Sequence, residues 1–255
     1  MNINQAFEIL KSAGGIRAAR IITEKHKKMS FFRVLWYAHL LQRGMPIAKI
    51  IHSKWFYGLD FYTNRHTLDP RPDTETLIES VIQDCQSESP RRIIDLGTGT
   101  GCIICALCKN IPDLSGIAID KSRATLRVAK RNVKKLNLEN KIKLKHADFA
   151  DFKSDEKFDI IVSNPPYIKY GDIRVNKAAQ FDPKIALYAK NDGLAAYEQI
   201  ALCAKTFIKP HGKIYLEIGA GQSTHVIKIF NLCGWQFERA IKDLSGINRV
   251  LVFTL

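Results

Sequence analysis

No stretch of the 255 residues has a run of roughly eighteen or more uncharged apolar side chains, so no segment reads as a bilayer-spanning helix. The opening MNINQAFEILKSAGG lacks both the basic stretch and the continuous apolar stretch of a secretory leader. A cytoplasmic location and no membrane partner are expected. Internal repeats and low-complexity tracts are also missing, which excludes solenoid arrays. Acidic residues are scarce: 25 Asp and Glu face 39 Lys and Arg, for a formal charge of +14. Such an excess suits an anionic partner such as a nucleic acid, a ribosome or an acidic protein.

With 46% hydrophobic residues, the chain has material for a sizeable core. Six cysteines without a leader read as reduced thiols and not as a disulfide framework. Cys102, Cys105 and Cys108 form C-x-x-C-x-x-C, the outline of an iron–sulfur ligand run. The segment GCIICALCKN, however, follows a glycine loop and reads as a buried helix that spreads the sulfurs around its axis. The next cysteine is as far away as Cys203. They read as small core hydrophobes, and no metal is expected. Between Lys121 and Lys145 stand ten Lys or Arg and one Glu. There Leu126, Ala129, Val133 and Leu136 recur at helical spacing, which predicts that Arg123, Arg127, Lys130, Arg131, Lys134 and Lys135 lie on a solvated face. Stable nucleic-acid binding is not expected from such a face.

Three helical patterns open the chain: QAFEILKSA up to Gly14-Gly15, IRAARIITEKHKK, and FFRVLWYAHLLQR up to Gly44. The aromatic WFYGLDFYTNRHTL, centred on Gly58, predicts a short hairpin, and the prolines of DPRPDTE mark a boundary. Beyond it RRIIDL, SGIAID, KIKLKHAD, FDIIVSN and GKIYLEIG alternate with helical segments, and WQFERAIKD and RVLVFTL close the chain. Such alternation implies a parallel sheet covered by helices on both faces.

The first of these strands runs into DLGTGTG, with glycines at 97, 99 and 101. The dinucleotide fingerprint G-x-G-x-x-G would need glycine where Cys102 stands, which weakens a nicotinamide reading. A tight glycine turn still lets backbone approach a ligand at the carboxyl edge of the sheet. Asp120 ends the next strand, where a carboxylate can accept from both hydroxyls of a ribose. Asp148 and Phe149 follow the third, placed for an adenine amine and for its ring face. Together these three strand ends resemble the S-adenosylmethionine site of Rossmann-like methyltransferases.

The fourth strand, FDIIVS, passes directly into Asn164-Pro165-Pro166-Tyr167. Two prolines remove two backbone donors and stiffen the turn. A planar nitrogen, in a carboxamide or an exocyclic base amine, has a delocalised lone pair and attacks a sulfonium poorly. A useful site would accept from both N–H groups and aim the nitrogen along the methyl–sulfur axis. The Asn164 side-chain oxygen and the Pro165 carbonyl can be those acceptors, and Tyr167 can pack on the planar group and exclude water. The plain alternative is a strand followed by a proline turn.

NPPY resembles the amino-methyltransferase superfamily. TLDPRPDTETLIE, DLGTGTGCI, SNPPYI, FDPKIALYAKNDGLAAYEQI, GKIYLEIGAGQ and DLSGINRVLV together resemble the release-factor glutamine methyltransferases over about residues 43–255. The resemblance implies a Rossmann-like α/β methyltransferase sheet of seven strands, mostly parallel with an antiparallel last strand. It implies three parts: a small helical docking domain (1–54), a β-hairpin linker (55–72) and a methyltransferase domain (73–255). It implies S-adenosylmethionine held by Gly97, Thr98, Gly99, Thr100, Gly101, Asp120, Asp148, Phe149 and Asn164, and glutamine held by Asn164, Pro165, Pro166 and Tyr167. The catalytic set is then Asn164, Pro165 and Tyr167. The implied partners are class-one peptide chain release factors, methylated on the glutamine of Gly-Gly-Gln by a monomer. Phe149 stands where many relatives have tryptophan. The helical domain is shorter than in typical relatives, and His52 replaces a common glycine; it reads as structural. Rival readings are an adenine or guanine amino-methyltransferase acting on DNA or RNA, a ribosomal-protein glutamine methyltransferase, and a donor-binding scaffold without catalysis.

Overall fold

The computed structural model of the chain describes residues 1–86, 92–172 and 177–255. It opens with α1 (Ile3–Lys25), α2 (Phe31–Gln42) and α3 (Ile47–Ile51). Asn2 and Gln5 close a reciprocal capping box at the start of α1. The helix then breaks at Gly15, whose φ of 83° is left-handed, so the two predicted segments form one broken helix. The five-residue α3 is an addition, too short for its periodicity to register. Leu10, Ile22, Val34 and Ile50 give these helices a small core of their own.

β1 (Lys54–Phe56) and β2 (Leu59–Phe61) form the expected hairpin. Tyr57 and Gly58 both have positive φ, as a two-residue turn of the primed type requires. Next come α4 (Glu75–Asp84), β3 (Arg92–Leu96), α5 (Cys102–Asn110), β4 (Ser115–Asp120), α6 (Arg123–Lys135), β5 (Ile142–His146) and β6 (Phe158–Ser163). Arg91, with which the predicted strand begins, lies outside the described residues. A two-residue pair, β7 (Ile168–Lys169) and β8 (Tyr188–Ala189), brackets α7 (Lys184–Leu187). The chain closes with α8 (Ala195–Cys203), β9 (Ile208–Glu217), α9 (Ser223–Leu232), β10 (Gln236–Lys242) and β11 (Asn248–Thr254).

The seven-stranded sheet has the order β10-β11-β9-β6-β3-β4-β5. Only the last strand, β11, runs against both its neighbours, as the family resemblance implies. Its central strands carry apolar residues toward both faces because both are covered. Ile93 of β3 faces a core with α4 and α5, while Ile94 and Leu96 face one with α8 and α9. From β3 the chain steps to β4 on one side and pairs with β6 on the other, so a crevice opens between the carboxyl ends of β3 and β6.

The basic helix α6 departs from its predicted inner stripe. Its buried positions are Thr125, Val128, Ala129, Asn132 and Val133, whereas Leu126 and Leu136 are only half-buried. Two polar residues point inward because they have backbone to hold. Asn132 accepts from the Tyr62 N–H at 2.7 Å and donates to the carbonyls of Tyr62 (2.9 Å) and Thr100 (2.8 Å). Thr125 donates to the His66 carbonyl at 2.9 Å. The basic face is partly committed as well: Arg131 lies 3.7 Å over the Tyr62 ring, and Lys135 pairs with Asp60 at 2.9 Å. His52 takes a left-handed backbone at the end of α3 and bonds the Thr63 carbonyl at 3.1 Å, a structural placement.

One buried cation ties the helical start to the rest. Lys49 of α3 is 5% exposed and meets Asp69 at 2.9 Å and Asp182 at 3.0 Å. Arg71 closes on the other Asp182 oxygen at 2.7 Å. The Lys49–Asp182 contact is near enough for charge but not aligned as a hydrogen bond.

Candidate functional site

The loop after β3 takes its shape from three glycines with φ of 76°, 58° and 79° at 97, 99 and 101, a conformation that side-chain-bearing residues rarely adopt. The N–H groups of Gly97 and Thr98 donate to the Ile119 carbonyl at 3.0 and 2.9 Å, tying the loop to β4. Above Gly97 and Gly99 a Cβ would find no atom within 4 Å. The loop thus presents bare backbone to open space, the form a ligand cradle needs.

Asp120, at the end of β4, accepts from the Gly99 N–H at 3.1 Å and the Ser122 N–H at 2.9 Å. Burial raises its carboxyl pKa, and these two backbone donors oppose the rise. Deeper in, Asp95 is fully buried and accepts from the Thr98 hydroxyl at 2.6 Å; burial pushes it up to about 7.

A cavity of about 900 Å³, its open mouth included, lies over this loop. Of the sequence-derived donor residues it brings together Gly97, Thr98, Gly99, Thr100, Asp120, Phe149 and Asn164. Gly101 sits behind the loop as the N-cap of α5, and Asp148 stands outside the lining, where it accepts from the Ala150 N–H at 3.1 Å. Bare loop backbone, a carboxylate at the second strand end and the Phe149 ring fit a nucleoside-bearing sulfonium donor. Among the described residues no three His, Cys, Asp or Glu gather as metal ligands. Cys102, Cys105 and Cys108 are buried on α5, and burial pushes the thiols of Cys102 and Cys108 up to about 12.

Beyond this cavity a second, wider groove runs past Tyr167, Glu217 and Gly219 to Gln222. Asn164 lines both spaces. Its Nδ2 donates to the Thr74 hydroxyl at 3.2 Å. Thr74 in turn donates to Glu217 Oε2 at 2.6 Å, and the Tyr167 hydroxyl lies 3.4 Å from Glu217 Oε1. Pro166 borders the donor cavity, and Pro165 joins it to Asn164 in the turn. The Tyr167 carbonyl accepts from Gln222 Nε2 at 3.0 Å. Gly193, with φ of 89°, passes so close to that carbonyl that a Cβ would come within 2.2 Å of it.

Sequence reasoning assigned no role to Thr74, Glu217 or Gln222. A signal for Glu217 was present: a lone carboxylate closing the apolar strand segment IYLE is costly unless something pairs with it. Burial pushes that carboxyl up to about 7, against the Thr74 hydrogen bond and the Arg249 charge.

The chain matches the Methyltransferase small domain family over residues 72–193. It is 37% identical over 255 residues to a bifunctional methyltransferase of Rickettsia typhi, covering 91% of this chain and 49% of that protein. The chain therefore spans about half the length of that relative. It is 32% identical to the release factor glutamine methyltransferase of Caulobacter vibrioides, covering 96% of this chain and 86% of that protein. A methyltransferase structure from Pyrococcus furiosus shares the fold at a TM-score of 0.57 and 17% identity, over 88% of this chain and 96% of that one. Among the described residues no helix is long and apolar enough to cross a membrane.

Proposed function

The chain belongs to the release factor glutamine methyltransferase family, and from that membership we propose that it methylates the glutamine side-chain amide in the Gly-Gly-Gln tripeptide of class-one peptide chain release factors. When bound, S-adenosylmethionine supplies an electrophilic methyl group: the amide nitrogen's lone pair forms the new C–N bond as the C–S pair stays on sulfur, leaving S-adenosylhomocysteine. The chain's own residues prepare that encounter. Bare backbone at Gly97 and Gly99 and the Asp120 carboxylate hold the donor, and Phe149 walls its ring. Asn164 Oδ1 and the Pro165 carbonyl accept the two amide hydrogens and fix the nitrogen's plane, while Tyr167 excludes water. The nitrogen releases its extra proton after transfer, so no general base need stand beside it.

The observation that carries this reading is the position of Asn164, which opens the proline turn and lines both the donor cavity and the outer groove with a carboxamide. The test incubates purified protein with methyl-labelled donor and, in parallel, a class-one release factor or total RNA. Label on the Gly-Gly-Gln glutamine, located by mass spectrometry of the peptides, is the expected result. Label in RNA alone would move the acceptor to a base amine, for which the +14 charge also speaks. Donor binding without label in either would leave a scaffold.

A further inference from the structure

We propose that Glu217, at the carboxyl end of β9, is a positioning residue that decides which end of the Asn164 amide faces the acceptor, acting through the Thr74 hydroxyl. The inference rests on the methyl-transfer reading of the same site. The carboxamide of asparagine is nearly symmetric in shape, so its polarity is set by its neighbours. The turn itself offers little freedom. Two prolines fix its φ angles, and Gln222 and Gly193 hold the Tyr167 carbonyl from two sides. What remains is rotation of the Asn164 amide.

That rotation is governed by a chain of donors. Glu217 and Thr74 are 1% and 2% exposed, so water does not compete for their bonds. An ionised carboxylate only accepts. The Thr74 hydroxyl, 2.6 Å from Glu217 Oε2, must spend its single hydrogen there. Its oxygen is then an acceptor alone, and the group 3.2 Å away must donate; that group is Asn164 Nδ2. Asn164 Oδ1 is thereby turned to the opposite side, as an acceptor for a target N–H. A neutral Glu217 reverses the order. Its own hydroxyl can donate to Thr74, Thr74 can donate to Asn164 Oδ1, and the flipped amide then offers N–H groups to a target that also offers N–H.

Several charged or titratable groups surround Glu217. Asp73 approaches from the segment before α4, Tyr167 from the turn after β6, and Arg249 from β11. Tyr197 of α8 donates to the Glu217 carbonyl at 2.9 Å, and Cys102 stands at the start of α5. Arg249 favours the anion but divides its charge between Asp243 at 3.1 Å and Asp73 at 3.3 Å. Burial outweighs it, and the carboxyl is pushed up to about 7.

The experiment compares Thr74→Val, Thr74→Ser and Glu217→Gln with wild type, using thermal melting and donor calorimetry as controls. Thr74→Val should lower kcat on release factor roughly tenfold or more, short of the ~10²–10³ for losing a reacting-site contact itself, with donor affinity and KM little changed. Thr74→Ser should restore most of the rate. Glu217→Gln keeps an acceptor for Thr74 but cannot ionise, so it should turn over while losing the wild-type acid limb near the about 7 of Glu217. Wild-type kcat in Thr74→Val, or an unchanged acid limb in Glu217→Gln, would overturn the proposal. Should the wild type methylate no release factor, the functional reading fails separately, and the polarity device is read by NMR. The Asn164 side-chain ¹⁵N–¹H₂ signals, identified by their loss in Asn164→Asp, should shift as wild-type Glu217 titrates and stay still in Glu217→Gln. Signals in wild type that ignore pH across that range would sink it.

Discussion

On the side proposed to hold the donor, Thr98 bonds Asp95 three positions away and Gly99 bonds Asp120 twenty-one away, whereas on the side proposed to hold the acceptor Asn164 reaches Thr74 across 90 positions and Thr74 reaches Glu217 across 143. The first kind of site forms wherever two adjacent strands and their turn form. The second exists only once β6, β9 and the segment before α4 have all docked. A nucleoside needs backbone that comes close and a carboxylate at a strand end, which a short motif can encode. A nitrogen that must be aimed needs side chains held in one orientation, and their supports come from wherever the fold delivers them. The two halves should therefore fail in different ways.

The largest separation is expected at Asn164. Its replacement by alanine should lower turnover by about 10²–10³ while leaving donor affinity in calorimetry little changed, because one preorganised polar contact is lost from the reacting end alone. Asn164→Asp should be severely impaired too: it keeps size and an acceptor but brings a charge and loses the N–H that meets Thr74. Near wild-type turnover in Asn164→Ala would reduce the turn to a structural bend, and lost donor binding would move Asn164 to the other half.

The mirror experiment is Asp120→Ala, which should cost ~1–3 kcal/mol of donor binding, as for hydrogen bonds to a charged group. Turnover at saturating donor should be nearly preserved. Calorimetric affinity equal to wild type would break the comparison.

A smaller effect concerns pH, with one buried carboxyl on each side. Asp95 and Glu217 are both raised to about 7 by burial, from 3.8 and 4.5. Between those values the folded chain holds protons that the unfolded chain has released, so stability should fall as pH rises through the window and level off above it. Melting temperatures of the donor-free protein should decline by a few °C across that range. Asp95→Asn and Glu217→Gln should each flatten the decline, and an unchanged slope in both would show that other groups dominate.

The smallest effect is expected at the cysteines of α5. Their buried thiols should resist iodoacetamide in the folded protein, as read by peptide mass spectrometry, as should Cys203, which burial also pushes up to about 12, while the less buried Cys85 and Cys233 react first. Alanine at 102, 105 and 108 should produce no metal-dependent loss of activity; about one equivalent of iron or zinc in carefully prepared wild type would overturn this.

The same contrast explains what could be read in advance. The glycine loop, the strand ends and the order of strands and helices are local patterns, and the parallel part of the sheet follows them; the antiparallel β11 is implied by the family resemblance and not by any local pattern. The hairpin at Tyr57-Gly58 and the break at Gly15 were legible because left-handed backbone leaves its mark in residue type. Thr74, Glu217 and Gln222 were not assigned, since no spacing links residues that meet only through tertiary packing. The inner face of α6 was misjudged for a related reason. Hydrophobic periodicity counts Leu126 and Leu136 as inward and has no place for Asn132 there, but a buried amide that satisfies three backbone groups, two of Tyr62 just past the hairpin and one of the glycine loop, offsets its desolvation.

Lys49 carries a lesson about modularity. The change of texture after residue 54 suggests a place where the chain could be cut, yet the ammonium from α3 is the counter-charge for Asp69 and Asp182, two carboxylates buried on the catalytic side of that cut. A fragment beginning at residue 55 would inherit those anions with Arg71 alone to answer them, and Asp182 would keep one of its two cationic partners. Additions ahead of α1 leave that circuit intact, whereas excision of the helices opens it. A seam in composition need not be a seam in electrostatics.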